Sequence, residues 1–235
     1  MPLFTFADFQ QPARLASVGI DLTGSEKKPS GWCFLKGKTA TTHRLRTDQE
    51  LVAHTVAARP AVISIDAPLS LPLGRLSVFD EDPGRQEFGI TRHCERQLLK
   101  RGIRSYPPLI KSMQHLTRRG MALAQLLRAQ GYPVIEGYPG GAQDLLGVPR
   151  KNKSLPLLVT GLAALGLEGA FTAGQLSHDE LDAITAALVG HFYLDGQFEA
   201  LGDSRESYLI IPRLPTQPGV AGAPSPAISG GQASK

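Results

Sequence analysis

Three short apolar runs, each closed by a carboxylate, constrain the fold of this chain more than any other feature: LASVGID at 15–21, AVISID at 61–66 and YPVIE at 132–136. Runs of this length with little polar alternation are expected of strands covered on both faces. Helical patterns lie between and after them. Asp48–Ala58 carries Leu51, Val52, Thr55 and Val56 at helical spacing, and Pro60 ends the pattern. Residues 92–102 and 110–130 are the next two helices, the second with Ile110, Met113, Leu116, Leu123, Leu126 and Leu127 on one face and Gly131 as its stop. GWCFLKG and TATTHRLR form two strands of a meander around Gly37. Ser154–Leu165 is helical with Pro156 in its first turn. The helix from His178 to about Tyr193 opens on a capping box, Ser177 with Glu180, and Tyr208–Ile211 is a last strand. The predicted order β-β-β-α-β-α-α-β-α-α-β is an α/β architecture: an antiparallel three-strand meander, then helices alternating with parallel strands in a mixed sheet.

One domain accounts for residues 15–214, after a leader at 1–14 and before a tail at 215–235. The last twenty residues hold seven Pro or Gly and almost no large apolar side chain, so they cannot offset the entropy of ordering. Residues 79–89, with four acids, Pro83 and two glycines, are expected as an exposed loop. Cys33 and Cys94 form no CxxC or Cys/His group, which argues against a disulfide framework or structural zinc. No stretch approaches the ~18–20 apolar residues of a membrane span, and the first residues lack the pattern of a secretory signal. A cytoplasmic protein without a membrane partner is expected.

Charge is segregated along the chain. Residues 92–153 carry twelve basic and three acidic groups, and 154–214 carry two basic and eight acidic ones. Helix faces of opposite sign explain this, and so does a basic surface for a polyanion beside a carboxylate-rich region. Arg150, Lys151 and Lys153 follow the Glu136 strand, and Arg92 and Arg96 lie on a second basic segment; both are candidates for phosphate contacts. Arg92 also stands one turn from Glu95, with which it can form a local salt bridge.

The acids supply the functional hypothesis. Asp21, Asp66 and Glu136 close predicted strands, and the ends of parallel strands share an edge where ligands bind. Asp179 and Asp182, spaced i,i+3, can face one direction on the last helix. Each has a local alternative: Asp21 caps a turn, Asp66 belongs to an Asp-Ala-Pro turn, and Asp179 complements the helix dipole. Asp182 lies beyond that favourable first turn and precedes the apolar AITAALV. Brought together, such groups repel unless a divalent cation joins them, and an oxygen-only donor set suits Mg2+ or Mn2+.

GIDLTGSEKKPSGW, SIDAPLSLP, RHCERQLLKRGI followed by YPP, VIEGYPG and HDELDAITAAL resemble the RNase H-like superfamily, in particular its Holliday-junction resolvase branch. More narrowly, the chain resembles the prokaryotic family called domain of unknown function 429, predicted nucleases of that fold. The matching segments span most of residues 16–212. The resemblance implies metal ligation by Asp21, Asp66 and Asp182, with Asp179 beside them, and two ions about 4 Å apart hydrolysing a phosphodiester of DNA or RNA. Glu136 belongs to the narrower family's E-x-YP motif and has no counterpart among the resolvase acids, so its role stays open. Two other readings remain: an actin-like phosphotransferase acting on a small molecule, and a nucleic-acid-binding protein of this fold without turnover.

Overall fold

The computed structural model describes residues 3–174 and 176–214; the tail expected at 215–235 lies outside them. Strands β1 (Ala16–Asp21), β2 (Ser30–Lys36) and β3 (Thr39–Leu45) form the expected antiparallel meander. Then come α1 (Asp48–Ala58), β4 (Val62–Asp66), the single-turn α2 (Arg85–Phe88), α3 (His93–Lys100), α4 (Gln114–Ala129), β5 (Val134–Gly137), α5 (Pro139–Leu146), α6 (Leu155–Ala164), β6 (Glu168–Gly169), α7 (His178–Leu194), β7 (Phe198–Asp203) and β8 (Ser207–Pro212). One mixed sheet of eight strands results, in the order β6-β3-β2-β1-β4-β5-β8-β7, with β1, β4, β5 and β8 mutually parallel.

Local chemistry accounts for the best-defined elements. Thr47 accepts from the Glu50 amide at 3.1 Å while Glu50 accepts from the Thr47 amide at 2.9 Å, so α1 starts where two orphan donors are satisfied. Ser177 and Glu180 repeat the arrangement at α7, whose bounds agree with those expected. A cap of this kind contributes about 1 kcal/mol.

The sheet has a different cover on each side. Leu51 of α1 and Leu123, Ala124 and Leu127 of α4 bury Val18, Ile20, Ile63 and Ile65. On the other face lies α7, buried at every residue from Glu180 to Phe192. Its outer side is roofed by Leu158 and Leu162 of α6 and by Phe4, Phe6 and Phe9, so the segment expected as a leader supplies three core aromatics. A helix enclosed on all sides needs little amphipathic contrast, which is why its apolar residues run together in sequence.

Four sequence expectations are corrected. The helix expected from residue 110 begins at Gln114, because turns run from Pro107 to Met113. The segment 79–89 is no simple exposed loop. Asp82 is buried, accepting from the Leu76, Ser77 and Gly84 amides and facing buried Arg75 at 3.3 Å. Helix α5 was not anticipated, since PGGAQDLL has the composition of a turn; Pro139 stands at its start, where the missing N–H costs nothing. Strands β6 and β7 were also missed, β6 because two residues carry no periodicity and β7 because FEALGD lacks β-branched residues.

Candidate metal centre

Asp21 and Asp66 close two neighbouring parallel strands and are paired in register, so their side chains leave the same face side by side. That face belongs to α7. The helix can come down onto it because Gly19 and Gly31 have no side chain: a Cβ on Gly19 would stand 2.1 Å from the Ala183 carbonyl oxygen, and one on Gly31 would stand 2.0 Å from that of Asp179. The close approach lowers Asp182 onto the strand ends. One oxygen each from Asp21, Asp66 and Asp182 then lies within 4.8 Å of the others.

The surroundings hold these groups in different ways. Gln143 of α5 donates to Asp182 Oδ1 at 2.8 Å and to Thr185 Oγ1 at 3.1 Å, fixing the Asp182 carboxylate. Lys151 Nζ lies 2.6 Å from Asp182 Oδ2 and 3.5 Å from Asp21 Oδ2. The turn that carries Lys151 is itself anchored, because Arg150 pairs with Asp144 through both oxygens and reaches the Tyr138 hydroxyl at 3.1 Å. The Asp66 carboxylate makes no hydrogen bond or ion pair with any described residue.

Electrostatics follows from this arrangement. Burial, then Asp182 and Glu136, push Asp66 up to about 8 against the pull of Lys151. Burial and the neighbouring Asp66 raise Asp21 well above its ordinary 3.8, again with Lys151 opposing. Burial works against the charge on Lys151, but Asp21 and Asp182 outweigh it and raise its pKa. Three ionised carboxylates beside one ammonium would leave an excess of negative charge in a largely dehydrated place, which is why Asp66 and Asp21 hold on to protons there. An oxygen-only donor set of this kind accommodates a hard divalent cation.

The other expected residues stand elsewhere. Glu136 is registered with Ile65, not with Asp66, so its side chain leaves the opposite face and it is not part of the carboxylate group. It accepts from the Leu69 amide at 2.7 Å and from both terminal nitrogens of Arg92, at 2.8 and 2.5 Å. Arg92, expected to touch phosphate, is 1% exposed and saturated by Glu95, Glu136 and Ser70. The local pairing with Glu95 is the alternative that formed, extended to a third segment. Cys94, Glu95 and Glu136 also converge within 4.8 Å, but the guanidinium beside the two glutamates already supplies their counter-charge.

Asp179 stands outside the three-carboxylate group and meets the His178 ring at 2.7 Å, although it lies near enough to act on Asp21. Arg96 is half exposed and donates to the Thr91 carbonyl. Arg150 is tied to Asp144, and Lys151 serves as a counter-ion within the centre instead of as a free phosphate contact. Lys153 is exposed and has no side-chain partner among the described residues. Trp32 is a packed strand residue, its indole donating to Thr55 at 3.0 Å. Both cysteines are buried free thiols.

Gln143 escaped sequence reasoning because its helix did. A polar side chain between the apolar Ala142 and Leu145–Leu146 is the only local signal that could have pointed to it. No helix among the described residues is long and apolar enough to cross a membrane. Comparison of the chain with protein families, with curated proteins and with solved structures gives no match.

Proposed function

We propose that this chain is a divalent-metal-dependent hydrolase of phosphodiesters, a nuclease of RNase H-like fold, in which Asp21, Asp66 and Asp182 hold Mg2+ or Mn2+. The observation that carries the reading is the convergence of three carboxylates from three separate elements to within 4.8 Å, at the ends of parallel strands. The order of elements agrees with it: three antiparallel strands, then helices alternating with parallel ones. A divalent ion in such a place lowers the pKa of water and stabilises charge that develops on phosphoryl oxygens.

The chain's own residues have definite tasks in this reading. Asp66, whose carboxylate has no hydrogen bond to a described residue to lose, is the ligand most readily recruited. Asp182 is presented by α7 and oriented by Gln143. Lys151, 2.6 Å from Asp182, lends positive charge next to the same carboxylates and offsets their repulsion. Exposed Arg104, Lys111 and Arg118, from the basic part of the chain, offer the sequence-independent attraction that a nucleic acid needs.

Calorimetric titration with Mn2+ and cleavage of labelled single-stranded, duplex, hybrid and branched substrates test the reading together. Wild type is expected to bind Mn2+ and cleave at least one polymer, and Asp21→Asn to lose both. No binding at millimolar Mn2+ would sink the proposal, and cleavage that survives Asp21→Asn would mark a contaminant.

A further inference from the structure

The proposed centre opens into a pocket of about 170 Å3 lined by Asp21, Asp66, Pro68, Tyr106, Met113 and Leu116, among others. Exposure gives the pocket a direction. Arg92, Glu136, Glu95 and Asp21 of its lining retain 1%, 4%, 6% and 8% of their surface and Tyr106 73%, so these charged groups, carboxylates for the most part, form the inner end and Tyr106 the mouth. Sites for drug-sized molecules run to about 300–1,000 Å3, so a cavity of this size admits one ring system and its substituents.

The mouth is built on a fixed loop. Tyr106 precedes Pro107, which favours extended backbone at the tyrosine. On one side of it the Arg104 carbonyl accepts from the Tyr138 hydroxyl at 2.5 Å; on the other, the Pro108 carbonyl accepts from Thr117 Oγ1 at 2.7 Å. An aromatic ring left in solvent on an anchored loop, above walls of proline, methionine and leucine, is a stacking surface for a flat heterocycle. A paired duplex keeps its bases stacked inside and cannot place one residue in so small a cavity without unpairing it.

We propose that this pocket takes a single nucleotide unit whose base is unpaired, the base lying against Tyr106 and the Met113–Leu116 wall and the phosphate directed to the carboxylate end. The phosphate end rests on the reading of Asp21, Asp66 and Asp182 as metal ligands; the base end stands on the cavity and Tyr106. A free nucleotide and an unpaired stretch of a strand share this chemistry.

Fluorescence anisotropy with a labelled single-stranded oligonucleotide, in the presence of Mn2+, tests the proposal on wild type, Tyr106→Ala and Tyr106→Phe. Wild type is expected to hold the single strand at least about tenfold tighter than the same sequence as a blunt duplex. Tyr106→Ala is expected to lose about tenfold in affinity and Tyr106→Phe to regain it, because a ring face is what stacks. Tyr106 is exposed, so these variants do not endanger the fold. Competition by a mononucleotide assigns the pocket to free nucleotides, and competition by oligonucleotides alone assigns it to strands. Equal affinity for duplex, or an unchanged Tyr106→Ala, overturns the proposal. The hydrolase reading fails separately: Tyr106-dependent binding with neither Mn2+ heat nor cleavage keeps the pocket and sinks the enzyme. Cleavage of duplex and single strand alike, indifferent to Tyr106, does the reverse.

Discussion

Asp66 carries the sharpest consequence of the burial of the centre. Its pKa is raised from 3.8 to about 8, so between those values the folded chain holds a proton that the unfolded chain has released. Stability without metal is therefore greatest below about pH 4 as far as this group is concerned, and is lost as pH rises towards 8. The expected outcome is a Tm of the metal-free protein that falls between pH 5 and pH 8 by at least about 2–4 °C, the equivalent of roughly 1 kcal/mol in a domain of this size. Mn2+ should raise the Tm more at pH 8 than at pH 5, since it takes the place of the proton. Asp66→Asn should lessen the pH dependence, leaving the part that Asp21 contributes, and abolish the Mn2+ effect, as differential scanning fluorimetry would show. An unchanged profile in that variant would place the titrating group elsewhere. Asp21 and Asp66 were both legible as strand-end acids, because an apolar run that stops at a carboxylate is a local pattern. Sequence alone suggests a phosphate contact for Lys151, because nothing near it in the chain names Asp182 as its partner.

The contact between β1 and α7 decides whether those acids meet at all. Helix α7 rests on glycine backbone at Gly19 and Gly31, and a methyl group at Gly19 would come within 2.2 Å of the Ala187 amide nitrogen. Gly19→Ala must therefore push the helix away from the sheet or strain both. Its cost should reach or exceed the ~1–3 kcal/mol typical of overpacking, measured by denaturant unfolding, and Mn2+ binding should weaken because Asp182 retreats with the helix. A variant of wild-type stability and metal affinity would show that the approach is not needed. The capping residues and apolar periods that define α1 and α7 lie within a few positions of one another, so both helices could be placed from sequence. Helix α5 could not, because Gly140 and Gly141 in its first turn oppose the propensity on which such placement depends, and tertiary packing of Ala142 and Leu146 overrides it.

Arg92 ties distant parts of the molecule together. From the start of α3 it reaches Glu136 at the end of β5 and Ser70 in the segment after β4, while Glu136 also holds the Leu69 amide. The network thus braces the loop that follows Asp66. Arg92→Met leaves two buried carboxylates without their cation and is expected to destabilise the fold by about 3–5 kcal/mol in denaturant unfolding. Adding Glu136→Gln should cost less than the sum of the two single changes, because the groups act as one network. Strict additivity would show that they do not. The alternation of strands and helices, the caps and the acids at strand ends follow from residues close together in the chain, where side-chain period and backbone hydrogen bonding act locally. Which acids share a face does not. A side chain changes face with every residue of a strand, so the pairing of Glu136 with Ile65 in place of Asp66 turned one of the candidate acids away from the centre. Register, the descent of α7 and the partners of Arg92 and Lys151 are set by packing between segments far apart in sequence, and only the assembled sheet decides them.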